Sequence, residues 1–422
     1  MISLDWVKDY VDISDQDLHE LAEKVTKAGV NIEKIVDNRI NNLVIGEVVS
    51  CDSHPDSDHL NVCMVNIGDK VVQIVCGASN VRAGIKVLVA LPGCVLPDGV
   101  TIKKGVIRGQ ESNGMICALF ELGLEEKTKE NYDRGIEILD TDLKAGTDAN
   151  IYLGTNDTLY ELDVHKHRNN DCYYHIGFAY EIASILGRKV TLPVSDYSEI
   201  SDSVKNHIKI DVVTKKCPYY TAKMVKGVKI KESPDFIKRR LIAAGMRPIN
   251  NVVDISNYVM LEYGQPLHFF DKNKIGDNIL VRDASLDEEI VTLDGTTRKL
   301  TSSDVVITDG NVPIAIAGVM GGENTEVDSD TKDILIEAAI FDSVSIRYTA
   351  SRLNLRSEAS IRYGKGLSFE YTDKALDRAC YLLAKYADAI ILSDVIKYDV
   401  IDRTPKVVSF NTKEVSTLLG LS

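Results

Sequence analysis

His165, His167, Cys172 and His175 lie close together and carry the side chains a metal site would need. Zinc takes imidazole or thiolate ligands in a tetrahedron, commonly from paired turns. The spacing here matches no zinc pattern, and half of the cluster falls on a predicted helix. A polar start to that helix explains it better, so no metal ligand is assigned. His54 and His59 frame Pro55-Asp56-Ser57-Asp58, a turn sequence that reads as a loop between barrel strands. The chain has no GxSxG, HExxH, Walker A glycine–lysine run or GxGxxG following a strand. Any chemistry works without those devices, and no residue is assigned as a catalytic acid or base.

The densest set of candidates lies between Arg247 and Gly366. The stretch Asn250 to Tyr258 sets amides (Asn251 and Asn257 among them), an acid and a phenol beside an expected buried strand. Gly264-Gln265-Pro266-Leu267-His268 places an imidazole in a constrained turn. Ala317-Gly318-Val319-Met320-Gly321-Gly322 offers backbone N–H groups that a ligand can approach closely, because glycine has no Cβ. Ile334-Leu335-Ile336-Glu337-Ala338-Ala339 sets a lone carboxylate in an apolar strand. A buried glutamate must find a donor, either a protein group or a ligand hydroxyl. Each element alone has an ordinary structural explanation, but together they describe a polar-lined pocket.

Two basic stretches accompany it. Lys215, Lys216, Lys223, Lys226, Lys229, Lys231, Lys238, Arg239, Arg240 and Arg247 form the first, against Glu232 and Asp235. Arg347, Arg352, Arg356, Arg362 and Lys365 form the second, with Glu358 the acid between them. Such stretches are either solvated faces balanced by acids elsewhere or contacts to phosphate. Lys103 and Lys104 add a smaller pair.

The elements that must position these residues are legible in outline. Ser14-Asp15-Gln16-Asp17 has capping-box spacing before Leu18, Leu21, Ala22 and Val25, with Gly29 suited to the C′ position. Short Val- and Ile-rich strands follow over Val44–Val49, Leu60–Ile67, Val71–Cys76 and Lys86–Leu91, the pattern of a small barrel or sandwich. Ile176, Ala179, Ala183 and Leu186 predict a helix ended by Gly187. Ser233-Pro234-Asp235 predicts an N-cap, an N1 proline and an early acid for a helix through about Ala244. Asp294-Gly295 and Asp309-Gly310-Asn311 predict tight hairpins. A last helix is expected over Asp373–Ala387.

The whole chain sets the limits. Its 422 residues are too many for one ordinary domain. The 44% apolar and 27% charged fractions are globular rather than disordered. A net charge of −14 counts against a general nucleic-acid or anionic-membrane binder. Acids in Met1–Asp9 argue against a signal peptide, and no apolar run reaches the roughly 18 residues of a membrane span. The eight cysteines form no CxxC pair and read as reduced cytosolic thiols, which predicts a cytoplasmic protein with no membrane partner.

The segments Ile45-Gly46-Glu47-Val48, His54 to Cys63, Ile74 to Val81 and Ser112-Asn113-Gly114-Met115 resemble the OB-fold tRNA-binding domain of aminoacyl-tRNA synthetases and their helpers. Arg247 to Tyr258, Gly264 to His268 and Gly318 to Gly322, in this order, are similar to the beta subunit of bacterial phenylalanyl-tRNA synthetases. The resemblance implies a multidomain α+β chain. An OB-fold β-barrel (39–150) would be inserted in a small α/β N-terminal domain (1–38 plus 151–200), with a mixed α/β editing domain over 205–398 and the start of a truncated next domain over 399–422.

It further implies hydrolysis of tyrosine mischarged onto the phenylalanine tRNA. His268 and Glu337 would contact the tyrosine side chain, with Glu337 accepting from the phenol. Gly318, Gly321 and Gly322 would line the pocket together with Asn251 and Asn257, and Ser357, Glu358 and Ala359 would lie near the ester. Lys103, Lys104, Lys223, Lys238, Arg239, Arg240, Arg247 and Arg362 would contact tRNA. The implied partners are an alpha subunit, in an alpha2/beta2 heterotetramer, and tRNA(Phe). ATP and Mg2+ would serve the complete enzyme, with no cofactor in this part and the magnesium-coordinating acids beyond Ser422. Val164 to Cys172 departs from the family's Thr-Pro-Asn-Arg type segment, which leaves local contacts there open. A free-standing tRNA-binding protein without catalysis, and an assembly platform for the alpha subunit, are the alternatives.

Overall fold

A computed structural model describes residues 1–37 and 39–420. The chain forms two compact units, Met1–Pro193 with Glu232–Asp254, and Val194–Lys231 with Ile255–Ser422. Both mix helices with sheets, so the protein is a multidomain α/β chain. The stretch 232–254, expected inside the 205–398 domain, packs in the first unit. Asn38, in the expected domain boundary, and Leu421 and Ser422, at the end of the expected next domain, lie outside the described residues.

In the first unit the helix Leu18–Lys27 buries Leu21, Ala22 and Val25, as their spacing predicts. Its cap is Asp17 rather than Ser14. The Asp17 carboxylate accepts from the His19 and Glu20 N–H groups, while the Ser14 hydroxyl donates to Asp12. A three-stranded antiparallel sheet has Thr158–Asp163 between Ile2–Ser3 and Asn31–Asp37. Residues far apart in the chain thus close one small sheet, and the segment between them forms its own body.

That body is a nearly closed, barrel-like antiparallel sheet. Its strands run in the order Ile138–Leu139, Lys86–Ala90, Leu43–Ser53, Asn61–Asn66, Val71–Cys76, with Met115–Ile116 also paired to Lys86–Ala90. Strand alternation explains its two apolar clusters. Leu43, Ile45, Leu88 and Ala90 pack in one, while Val65, Ile74, Val87 and Val89 pack in the other.

The second unit stacks two sheets. One runs Glu199–Ser203, Ile390–Ser393, Tyr219–Lys226, Ile334–Ile340, Leu267–Asp271, with Ile396–Asp399 also on Tyr219–Lys226. The other runs Lys209–Val212, Asn278–Asp283, Val305–Thr308, Pro313–Ile316, Met320–Gly321. Tyr220, Ala222, Met224, Phe270, Leu335 and Ala339 from the first sheet share a core with Val281, Ile307, Ile314 and Ile316 from the second. The helix Thr372–Tyr386 packs on the central strands of the first sheet. Both expected hairpins form, around Asp294-Gly295 and around Asp309-Gly310-Asn311.

Two further local expectations fail. The stretch from Asn250 to Tyr258 is not a strand but the start of a helix, Asn251–Tyr263. Val252, Ile255, Val259 and Glu262 recur at helical spacing and are buried, and the Asn250 side chain accepts from the Val252 and Val253 N–H groups to start it. Ser233 does not cap the helix Asp235–Ala243, whose N-cap position is Pro234. Its hydroxyl donates instead to the buried carboxylate of Asp254.

Candidate functional site

Glu337 is the middle residue of the strand Ile334–Ile340. Antiparallel register sets it directly opposite Ala222 on one neighbour and opposite His268 on the other. Residues paired across strands share a sheet face, and this face is the one turned to the core between the two sheets. Glu337 is 4% exposed. Its Oε2 has no hydrogen-bond partner, and no cation pairs with it among the described residues. Burial alone pushes its pKa up to about 8, so near neutral pH it holds its proton and offers a donor as well as an acceptor.

His268 sits beside it with a small part of its surface exposed. Its ring meets the Phe270 ring edge-on at 4.3 Å. Burial is the cause of its lowered pKa, about 4, so the ring is neutral and keeps one bare nitrogen. The pair can therefore hold a small polar group by hydrogen bonds without building up charge.

One glycine of the run, Gly321, closes against His268. A Cβ on Gly321 would stand 2.4 Å from His268 Cε1, so only glycine leaves the ring in place. Gly318 has φ +66°, and a Cβ there would touch Ile346, Phe341 and Tyr363 at 3.1 Å. The Gly322 N–H donates to the Ile314 carbonyl at 2.7 Å. Ser357 caps the helix Glu358–Lys365, accepting from the Ser360 N–H at 3.0 Å. Its hydroxyl donates to the Val319 carbonyl at 2.6 Å, which ties that helix to the glycine run. Ala359 packs against the core, and Glu358 pairs with Arg362. Asn251 and Asn257 are carried by the helix Asn251–Tyr263 rather than by the strand face.

The basic residues divide. Lys223 is buried on the strand Tyr219–Lys226, its ammonium bound to the Glu199 carboxylate and the Asp394 carbonyl, so it belongs to the interior and not to an RNA-facing surface. Arg362 is likewise buried against Glu358. Strand alternation and helix spacing turn these two inward, which a count of charges along the chain cannot detect. Arg240 pairs with Asp9 and stacks on Trp6, and Lys238 pairs with Glu232 and Asp235. Arg239, Arg247, Lys103 and Lys104 are exposed, Lys104 beside Glu111 at 3.3 Å. The barrel carries a groove of about 820 Å³ lined in part by Lys103, His59, Phe120 and Tyr132.

The histidine cluster disperses. His165 and His167 stack on one another, whereas His175 is buried under Trp6 and accepts from the Ser3 N–H. Among the described residues no group of three or more His, Cys, Asp or Glu could hold a metal ion. His54 lies in the loop between the strands Leu43–Ser53 and Asn61–Asn66, and its Nδ1 accepts from the Asp56 N–H.

Two families match the chain: "B3/4 domain" over residues 216–388 and "Putative tRNA binding domain" over 43–148. The phenylalanine–tRNA ligase beta subunit of Staphylococcus saprophyticus is 50% identical over 392 residues, 92% of this chain and 49% of that protein. That of Staphylococcus haemolyticus is 45% identical over 428 residues, covering 100% and 53%. That of Staphylococcus aureus is 48% identical over 400 residues, covering 93% and 50%. The chain is homologous to phenylalanine–tRNA ligase beta subunits along nearly its whole length. It spans about half the length of these beta-subunit relatives. Glu337, His268, the glycine run and Ser357 all fall within the B3/4 match, and the groove falls within the tRNA-binding match. No helix among the described residues is long and apolar enough to cross a membrane.

Proposed function

We propose that this chain is the tRNA-binding and editing part of a phenylalanine–tRNA ligase beta subunit, and that the Glu337 face hydrolyses tyrosine mischarged onto tRNA(Phe). The observation that carries this reading is the buried, unpartnered Glu337 carboxyl beside a neutral His268. A site made for phenylalanine can reject tyrosine only by size, whereas a second site with unsatisfied polar groups selects the extra hydroxyl. The barrel over 39–150 is then an OB-fold that helps hold the tRNA, with Lys103, Lys104, Arg239 and Arg247 the exposed cations available for phosphate. The region 205–398 is the editing domain, 1–38 plus 151–200 the N-terminal domain, and 399–422 the start of a further one.

In the hydrolysis a water oxygen attacks the ester carbonyl, the bond to the tRNA ribose oxygen breaks, and that oxygen leaves with a proton while free tyrosine departs. Glu337 and His268 hold the side chain, and the backbone around Gly318 to Gly322 shapes the pocket. Water activation falls to the tRNA terminus and backbone donors rather than to a side-chain triad. Aminoacylation belongs to a cytoplasmic complex with an alpha subunit, in an alpha2/beta2 arrangement, using ATP and Mg2+.

The test is Tyr-tRNA(Phe) deacylation by the complete alpha–beta enzyme carrying Glu337→Ala. A loss on the order of 100-fold is expected. Deacylation at the wild-type rate would remove Glu337 from the site and the reading with it.

A further inference from the structure

A third polar group shares the Glu337 face. The strand Tyr219–Lys226 runs antiparallel to Ile334–Ile340, with Tyr220 opposite Ala339 and Ala222 opposite Glu337. Alternate residues of a strand point the same way, so Tyr220 is the diagonal neighbour of Glu337, within reach for an aromatic side chain. His268 stands on the other flank. Ala222 and Ala339 lie between these residues, so the floor is made of methyl groups with polar heads around it.

Tyr220 is fully buried in the core that holds Ala222, Ala339 and Phe270. Its hydroxyl has no hydrogen-bond partner among the described residues. Tyr219, one residue earlier and on the opposite face, donates to the Asp373 carboxylate at 2.6 Å. A buried tyrosine ordinarily places its hydroxyl on a partner, and an orphan asks for one that the protein does not supply.

We infer that Tyr220 is a specificity-determining residue of the hydrolytic site, donating its hydroxyl hydrogen to the para-hydroxyl of a bound tyrosyl group alongside Glu337 and His268. This rests on the editing function proposed above. A phenol oxygen accepts two hydrogen bonds and donates one. Glu337, which the resemblance casts as an acceptor from the phenol, is protonated and donates instead, as Tyr220 does, and neutral His268 has a bare nitrogen that accepts. One bound phenol closes all three open groups. A phenylalanyl side chain leaves all three open, and that difference is the discrimination.

The experiment replaces Tyr220→Phe in the complete alpha–beta enzyme and follows deacylation of Tyr-tRNA(Phe) and of Phe-tRNA(Phe), with thermal melting alongside. Tyr-tRNA deacylation should fall about tenfold while the slow Phe-tRNA reaction holds, so the ratio falls by the same factor. Tm should hold or rise, because the lost oxygen had no partner in the empty site. An unchanged ratio, or both reactions falling together with a lower Tm, overturns the role of Tyr220. Glu337→Ala run in parallel separates the two claims. Loss there with Tyr220→Phe unchanged leaves the editing site standing without Tyr220, and no loss there overturns the editing function.

Discussion

Asn150 in the first unit and Glu337 in the second are both buried polar side chains among apolar neighbours, and they are treated in opposite ways. The Asn150 amide accepts from the Ile40 N–H and the Thr155 hydroxyl, and donates to the Ile40 carbonyl and the Asp148 carboxylate. All of its capacity is used, across 110 residues of sequence. Glu337 faces Ala222 and a neutral imidazole and keeps an oxygen unpartnered. Burial of a polar group therefore does not mark a site by itself. A closed hydrogen-bond inventory marks a structural clamp, whereas Glu337 and Tyr220 leave two open groups together on one face.

Three substitutions would break or sharpen that contrast. The largest effect belongs to Asn150→Ala, which strands two backbone groups of Ile40 and a buried threonine hydroxyl. Urea unfolding should show a loss of about 3 kcal/mol or more. A loss under about 1 kcal/mol would mean that Asn150 is no clamp.

Glu337→Gln should instead change how stability depends on pH. The folded carboxyl has its pKa raised from 4.5 to about 8, so the folded state holds the proton that the unfolded chain releases. Wild-type stability then falls as pH rises from about 4.5 to 8. His268 acts in the other sense: its folded pKa of about 4 lies below the ordinary 6.5, so its contribution is lost as pH falls from 6.5 towards 4. The two oppose each other below pH 6.5, and of the pair only Glu337 acts between 6.5 and 8. Over that interval wild type should lose about 2 kcal/mol relative to Glu337→Gln. Parallel stability curves would show that the carboxyl finds a partner in solution.

The smallest effect is expected from Gly321→Ala. A methyl 2.4 Å from the His268 ring must push it aside. The cost should be about 1 kcal/mol in stability, with a several-fold loss of Tyr-tRNA deacylation. Unaltered hydrolysis would show that the ring position does not matter.

The fold was most legible where apolar period and turn chemistry agree. Val71–Cys76 occupies the expected residues, Lys86–Ala90 falls one short at its end, and both Asp-Gly turns join the strands they predict. Capping was less legible. Ser14 and Asp17 are both good caps, and which one the helix uses depends on the competing bond from Ser14 to Asp12. The helix at Asn251 is poorly legible because Val252-Val253 reads as strand until the spacing of Ile255 and Val259 is weighed. The basic run misled in part, since Lys223 and Arg362 are interior residues. Tyr220 lies between Lys216 and Lys223 in that run, and its even spacing with Ala222 and Met224 is the signal that places it inward.

By itself, the sequence determined that Glu337 would be a carboxyl in an apolar strand and that a glycine run and a lone histidine would accompany it. Those are properties of residue type and alternation, which act over a few neighbouring positions. It also carried the −14 that argued against a general nucleic-acid binder. Only the tertiary structure decided that His268, Ala222 and Tyr220 surround Glu337, that Gly321 presses on the ring, and that the open groups of Glu337 and Tyr220 share one face. Strand register joins segments far apart in the chain, and a hydrogen-bond inventory can be closed or left open only once those segments have met.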